Sequence, residues 1–319
     1  MKIFLVWTLY WLLGWGLTQA QQSPLSALQF IDPSRMILSA AGLQGENNLS
    51  VTYRDQWTGL PGRPVTAAAG CSGPLKSLGG AWSGLVSLDQ LGLQRAISMR
   101  TGYNQVFPME QILISAGLGL GWDHRNWDGN AVRTPEGIYG TQGFDHLDPG
   151  LVTGTFNHNA LEIIPSVYIQ TRWAETGIEL GVPLLQQSAP VRRIFSKHFS
   201  LKYALLREFK FNKVELLSQL FLYSDFIRTQ SELFFKMSYN GNIFGGISLR
   251  GYDRKSLDAL GMMAGIRLSN HLFLYLGVEM PLNALRSQLN GWNQDFGLSY
   301  RWGARDGRRG IPIIYNPRW

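Results

Sequence analysis

The sequence has one cysteine, Cys71, so no intramolecular disulfide can form and a small stapled extracellular scaffold is excluded. Charge is sparse, with 16% Asp, Glu, Lys and Arg against 12% aromatic residues, and helix-forming runs are few beside the 36 glycines. Beyond residue 17 no apolar run approaches the roughly 20 residues that a membrane helix requires. The net charge of +7 lacks the clustered Lys and Arg of a nucleic-acid footprint, so no nucleic-acid partner is expected. An acidic membrane surface, such as outer-membrane lipid and lipopolysaccharide head groups, is the better partner for scattered basic residues.

What is present begins with a leader. Met1 and Lys2 give a positive start, Ile3 to Leu17 an apolar run, and Thr18-Gln19-Ala20 a small-x-small exit before Gln21. Residues 1–20 therefore read as a secretory signal peptide rather than a membrane anchor, because an apolar run of about 15 residues is short for a span. Gln21, not a cysteine, stands directly after the cleavage point, so the leader is not that of a lipoprotein.

In the rest of the chain hydrophobicity alternates with a period of two. Ala174, Ile178, Leu180, Val182 and Leu184 oppose Glu175, Gly177, Glu179 and Gly181. Leu272, Leu274, Leu276, Val278 and Met280 oppose Phe273, Tyr275, Gly277 and Glu279, and Phe296, Leu298, Tyr300 and Trp302 oppose Asp295, Gly297, Ser299 and Arg301. Such segments begin near Leu49, Pro64, Ser77, Gln94, Glu110, Leu161, Trp173, Lys197, Phe211, Ile227, Asn242, Ser256, His271 and Gly291. Turn signals at Arg172-Trp173, Phe209-Lys210, Asn240-Gly241-Asn242 and Ser269-Asn270 separate several of them.

About 14 segments averaging roughly ten residues match tilted strands that cross a bilayer, and closure leaves no unpaired edge in lipid. The expected fold is all-β, a closed antiparallel transmembrane barrel with an N-terminal lead-in segment over residues 21–302, followed by a basic tail at 303–319. A soluble sandwich also alternates, but its strands run nearer five or six residues. Aromatics at strand ends, Trp57, Trp122, Trp173, Tyr252, Trp292 and Trp302, favour the barrel's interfacial girdles.

The stretch from Gln22 to Gly92 resembles the PorP/SprF family of outer-membrane proteins of the type IX secretion system. The resemblance rests on Gln29-Phe30, Asp32-Pro33, Ala40-Ala41-Gly42, Tyr53-Arg54-Asp55-Gln56-Trp57, Gly59, Pro64 and Thr66. Leu38-Ser39 stands where the family has Asn-Pro. Tyr53, Arg54, Gln56, Trp57, Gly59 and Pro64 form the most specific block. Membership implies a non-enzymatic outer-membrane barrel of a Gram-negative cell, working with the secretion machinery and with large secreted adhesins, including those of gliding motility. The alternative is a general porin or a transporter of hydrophobic compounds.

The strand registers turn Arg54, Arg100, Arg172, Lys202, Lys213, Lys236, Arg250, Arg267 and Arg301 toward the lumen, with Glu162, Glu175, Glu179, Glu215, Glu232, Glu279 and Asp295. Mixed signs at this density favour a salt-bridged or plugged interior over a one-sign filter. A water-filled lumen with solvated charges is the alternative.

No catalytic, metal or cofactor site is expected. Asp123-His124-Arg125-Asn126 lacks a serine two residues after its histidine, His146 and His158 have no zinc spacing and read as solvated loop residues, and "NWDGN" lacks the ligand set of a calcium loop. The longest irregular connection is expected at Asp123 to Asn159. Its aromatics Trp127, Tyr139, Phe144 and Phe156 are the candidate contacts for a protein partner, and a disordered loop rich in Gly, Asn and Asp is the alternative.

Overall fold

A computed structural model describes residues 26, 28–60, 62–140, 143–148, 151, 153–187, 199–226, 229–252, 256–282 and 291–303. The leader and the tail at 304–319 lie outside the described residues. The strands are β1 (Glu46–Asp55), β2 (Val65–Leu75), β3 (Gly80–Leu91), β4 (Gln94–Pro108), β5 (Ile112–Asp128), β6 (Ile138–Gly140), β7 (Gly143–Asp145), β8 (Thr155–Thr171) and β9 (Glu175–Gln186). They continue as β10 (Ser200–Phe211), β11 (Val214–Ser224), β12 (Thr229–Tyr239), β13 (Ile243–Tyr252), β14 (Ser256–Arg267), β15 (Leu272–Pro281) and β16 (Asn293–Gly303).

All but β6 and β7 form one closed antiparallel barrel of 14 strands, in the order β1-β16-β15-β14-β13-β12-β11-β10-β9-β8-β5-β4-β3-β2. Its seam is the pairing of β1 with β16, in which Arg54 faces Asp295 and Tyr53 faces Phe296. Alternation dictates which side chains meet lipid. In β1 Asn48, Ser50, Thr52 and Arg54 are buried inward, whereas Leu49, Val51 and Tyr53 stand 41–48% exposed on the outer wall. No described helix is long and apolar enough to cross a membrane; the strands do so.

The connections at 76–79, 109–111, 172–174, 212–213, 240–242 and 268–271 are short and share one rim with the start of β1 and the end of β16. The end of β5 and the start of β8, and the end of β9 and the start of β10, lie on the opposite rim. Short turns mark the periplasmic side of such barrels and long loops the extracellular side. At Asn240 and Gly241 φ is +53° and +63°, and the Asn242 N–H donates to the Tyr239 carbonyl at 3.0 Å, a type I′ hairpin turn.

Two expectations about connections are corrected. Phe209 and Lys210 lie within β10, and the turn falls at Asn212-Lys213, where Asn212 takes φ +52°. Cross-strand pairing also extends further than composition suggests: β5 runs through Asp128 and β8 starts at Thr155, with Trp127 opposite Phe156. The irregular connection shrinks accordingly, and β6 pairs with β7 inside it.

Within the described residues the lumen is filled by the chain's own N-terminal segment. From Ser26 it passes through a 3-10 turn at Gln29–Ile31, a short helix at Pro33–Met36 and a second 3-10 turn at Leu38–Ala40, then enters β1. Asp32 caps the helix by accepting from the Ser34 backbone N–H at 3.0 Å, with Pro33 in the first turn, where a missing N–H costs nothing. Leu28, Ile31, Met36, Ile37, Leu38 and Ala41 are buried, so the segment is a hydrophobic plug inside a polar tube.

Candidate functional site

The plug is held by the wall residues it touches. Arg35 donates to Thr52 Oγ1 at 2.8 Å and to the Ser50 and Ala68 carbonyls at 3.4 and 3.3 Å. Asn104 Nδ2 reaches the carbonyls of Ser39 and Ala41 at 3.4 and 3.2 Å, and Asn48 Nδ2 that of Ile31 at 3.2 Å. Phe30 stacks on Phe234 at 4.8 Å and meets the edge of Tyr275 at 5.7 Å. Lumen-facing glycines provide the sockets. A Cβ on Gly102 or Gly119 would collide with Leu38 Cδ1, and one on Gly297 would come within 2.6 Å of Ile31 Cδ1.

Two buried ionic groups surround the plug. In the first, Arg54 bridges Asp295 Oδ2 at 2.7 Å and Glu279 Oε1 at 2.9 Å, while Arg250 bridges Glu279 Oε2 at 2.8 Å and lies 3.6 Å from Glu232 Oε1. Asn293 donates to Glu279 at 2.7 Å. The plug joins this group through Gln29 Nε2, which donates to Glu232 Oε2 at 2.8 Å, and Ser26 Oγ, which donates to Asp295 Oδ1 at 3.2 Å. In the second group Glu179 pairs with Arg100 and with Lys202, the latter at 2.8 Å, and accepts the Leu38 backbone N–H at 2.7 Å. Burying ions is costly unless partners are close and remaining lone pairs are used; Glu179, Glu232 and Asp295 meet that condition partly through the plug, and Glu279 through Arg54, Arg250 and Asn293 on the wall. A cavity of about 190 Å³ remains above the plug, lined by Ser26, Gln29 and Arg35 together with Asp89, Arg100 and Lys202.

The remaining candidate charges occupy other places. Arg172 is exposed in the β8–β9 turn with its guanidinium 5.6 Å from the Trp173 ring, and Lys213 is likewise exposed in a turn; these two positions correct the lumen assignment. β8 ends at Thr171 and β10 at Phe211, before those residues. Glu175 accepts from Tyr168 Oη at 2.7 Å and Gln170 Nε2 at 3.2 Å. Arg267 closes the β14–β15 turn on Ser269 and Asn270, and Arg301 lies 4.9 Å from the Phe273 ring and donates to the Ile31 carbonyl at 3.4 Å.

The Tyr53 to Pro64 block divides its work. Tyr53 faces outward and Arg54 inward, and Gln56 stands past the end of β1, its N–H donating to the Pro64 carbonyl at 2.9 Å. Trp57 takes φ +54°, and its N–H donates to Asn293 Oδ1 at 3.0 Å. Gly59 passes close to Gly291, where an added Cβ would lie 2.9 Å from the Gly59 nitrogen. Asp55 pairs with Arg63 at 2.5 Å outside the lumen.

In the extracellular connection, Tyr139 and Phe144 pack edge to face at 5.3 Å under the Arg133 guanidinium. Tyr139 Oη contacts the Thr134 N–H at 2.7 Å and His146 Nδ1 at 3.0 Å. His146 is buried in this cluster and His158 is buried on the inner wall, which corrects the expectation that both are solvated. Among the described residues no group of three or more His, Cys, Asp or Glu side chains has the geometry of a metal site.

The mixed lumen charges announce a salt-bridged or plugged interior, but not that the N-terminal segment supplies the plug, although its anchors Gln29, Phe30 and Asp32 lie in the motif that carried the resemblance. The signal available was the glycines on the charged face of strands, which leave room only if something enters the lumen.

The fold is that of known outer-membrane barrels. The chain is similar to the CymD monoaromatic hydrocarbon channel at 12% identity and a TM-score of 0.50, covering 92% of this chain and 96% of that one. It is also similar to the Ralstonia pickettii toluene transporter TbuX (10% identity, TM-score 0.48, 91% and 96% covered) and to Acinetobacter baumannii Omp33 (8%, 0.44, 81% and 98%). Among curated proteins nothing matches the chain. The family described as type IX secretion system membrane protein PorP/SprF matches residues 19–300. With nearly the whole barrel inside that match, and a plugged outer-membrane fold built on its motif residues, this chain belongs to the PorP/SprF family of type IX secretion system membrane proteins.

Proposed function

We propose that the protein is a plugged, non-enzymatic barrel that supports secretion or surface attachment of an adhesin-type cargo through protein contacts. Cleavage after Ala20 releases the mature chain, whose N-terminal segment then seats in the lumen. The observation that carries this reading is that seated segment: Leu38, Glu179, Arg35 and Gln29 tie it to strands all around the wall, which suits a rigid docking platform better than a solute path. The contact surface is the extracellular rim, with Tyr139 and Phe144 held by Arg133, and Trp127 and Phe156 side by side at the tops of their strands. The two buried ionic groups serve to fix the plug, not to select ions.

Cross-linking in outer membranes followed by pull-down tests the reading: a large secreted protein and other secretion components should be recovered. Recovery of the barrel alone, together with steady solute flux in liposomes, would instead establish the porin or transporter alternative.

A further inference from the structure

The outer wall carries one feature that neither the plug nor cargo docking uses. Outward-facing charges on the strands otherwise stand at rims: Arg95 near the start of β4, Asp55 at the end of β1, Asp128 at the end of β5. Arg207 differs. It is exposed on the outer face of β10, flanked by outward Leu205 and Phe209, and set four positions in from Phe211 at the periplasmic end. At roughly 3.3 Å per residue and a tilt near 40°, that places its Cα about 10 Å inside the rim. Among the described residues no carboxylate pairs with it.

An arginine on the lipid face costs free energy that rises with depth, so one without a carboxylate beside it is stabilised by reaching an anionic group at the membrane boundary. Its guanidinium lies 4.6 Å from the centre of the Phe209 ring, two residues closer to the periplasmic rim, so the side chain leans toward the level where periplasmic-leaflet phosphates sit. Directly beside it is an apolar groove of about 530 Å³, lined by Phe209, Leu216, Ser218, Phe235, Met237 and Gly245. Gly245 keeps the groove open, since nothing lies within 4 Å of where its Cβ would stand. Ser218 sits across from Arg207 in the β10–β11 register.

We propose that Arg207 and this groove form a binding site for one phospholipid of the periplasmic leaflet, the guanidinium fork holding the phosphate and the groove an acyl chain. The two halves match the two ends of that ligand and no other membrane constituent at this depth: lipopolysaccharide occupies the opposite leaflet, and a neutral lipid gives the arginine nothing to pair with. The site is independent of the cargo reading, because it lies on the lipid face at the opposite rim from the partner loop.

Native mass spectrometry of the full mature barrel in detergent tests this with phosphatidylglycerol, diacylglycerol and inorganic phosphate as separate probes. Arg207→Gln and Gly245→Leu, each checked for folding by heat-modifiable migration, are compared with the unaltered chain. The expected result is one retained phosphatidylglycerol, with occupancy falling roughly tenfold in either variant, and diacylglycerol binding that does not respond to Arg207→Gln. Gly245→Leu keeps the charge and blocks the groove, so it still decides the matter if the arginine variant misfolds. Equal phosphatidylglycerol occupancy in the folded variants would overturn the proposal. So would displacement of the lipid by inorganic phosphate at equal concentration, or Arg207-dependent retention of an acylated protein in place of phospholipid.

Discussion

Arg54 shows how much one residue carries. Its two nitrogens satisfy Asp295 across the β1–β16 seam and Glu279 on β15, and both carboxylates are almost fully buried. Arg54→Ala would leave two buried anions without their shared cation, and about 3–5 kcal/mol of destabilisation is expected. Urea titration of the barrel in detergent, followed by heat-modifiable mobility, measures this; a loss under about 1 kcal/mol would mean the pair is solvated. The inward direction of Arg54 is legible from the sequence, because its neighbours Val51 and Tyr53 are apolar and outward. Its partners are not, since Glu279 and Asp295 are more than 200 residues away and nothing local specifies which charges meet.

At the scale of elements, the strands and the plug obey different rules. A barrel strand announces itself by period-two alternation, and each of the expected segments begins within a few residues of an observed barrel strand, apart from the β8 start, which pairing extends to Thr155. The plug has no such period: its turns and helix are too short to show one, and its apolar residues become meaningful only against the wall. Glycine is where wall and plug fit together. Gly119→Leu should expel Leu38 from its socket, and deletion of residues 26–45 should empty the lumen altogether. In planar bilayers the unaltered barrel is expected to show little steady conductance, the deletion a large one, and Gly119→Leu flickering openings between the two. Equal conductance with and without the segment would show that the plug does not obstruct the lumen. The Asn240-Gly241 turn makes a smaller prediction: Gly241→Val, which forces a β-branched side chain to positive φ, should cost about 1 kcal/mol in the same urea titration and leave conductance unchanged.

For the molecule as a whole, the outer wall is a belt of Leu, Ile, Val, Phe and Met facing lipid and the inner wall a lattice of polar groups closed over a plug. Detergent removal is therefore expected to precipitate the mature barrel, as scattering reads directly, while its far-ultraviolet circular dichroism stays that of β-sheet; a freely soluble, helical chain would contradict the fold. The sequence by itself determined the architecture, because alternation is local: each residue's parity decides lipid or lumen, and strand length decides that the sheet spans a bilayer and must close. It also carried the family, through the Tyr53 to Trp57 block. What only the tertiary structure decided is what the lumen contains and which charges pair within it. Those outcomes depend on contacts between residues far apart in the chain, such as Gln29 with Glu232 or Leu38 with Glu179, and the energy of a buried ion is fixed by its neighbours in space rather than by its neighbours in sequence.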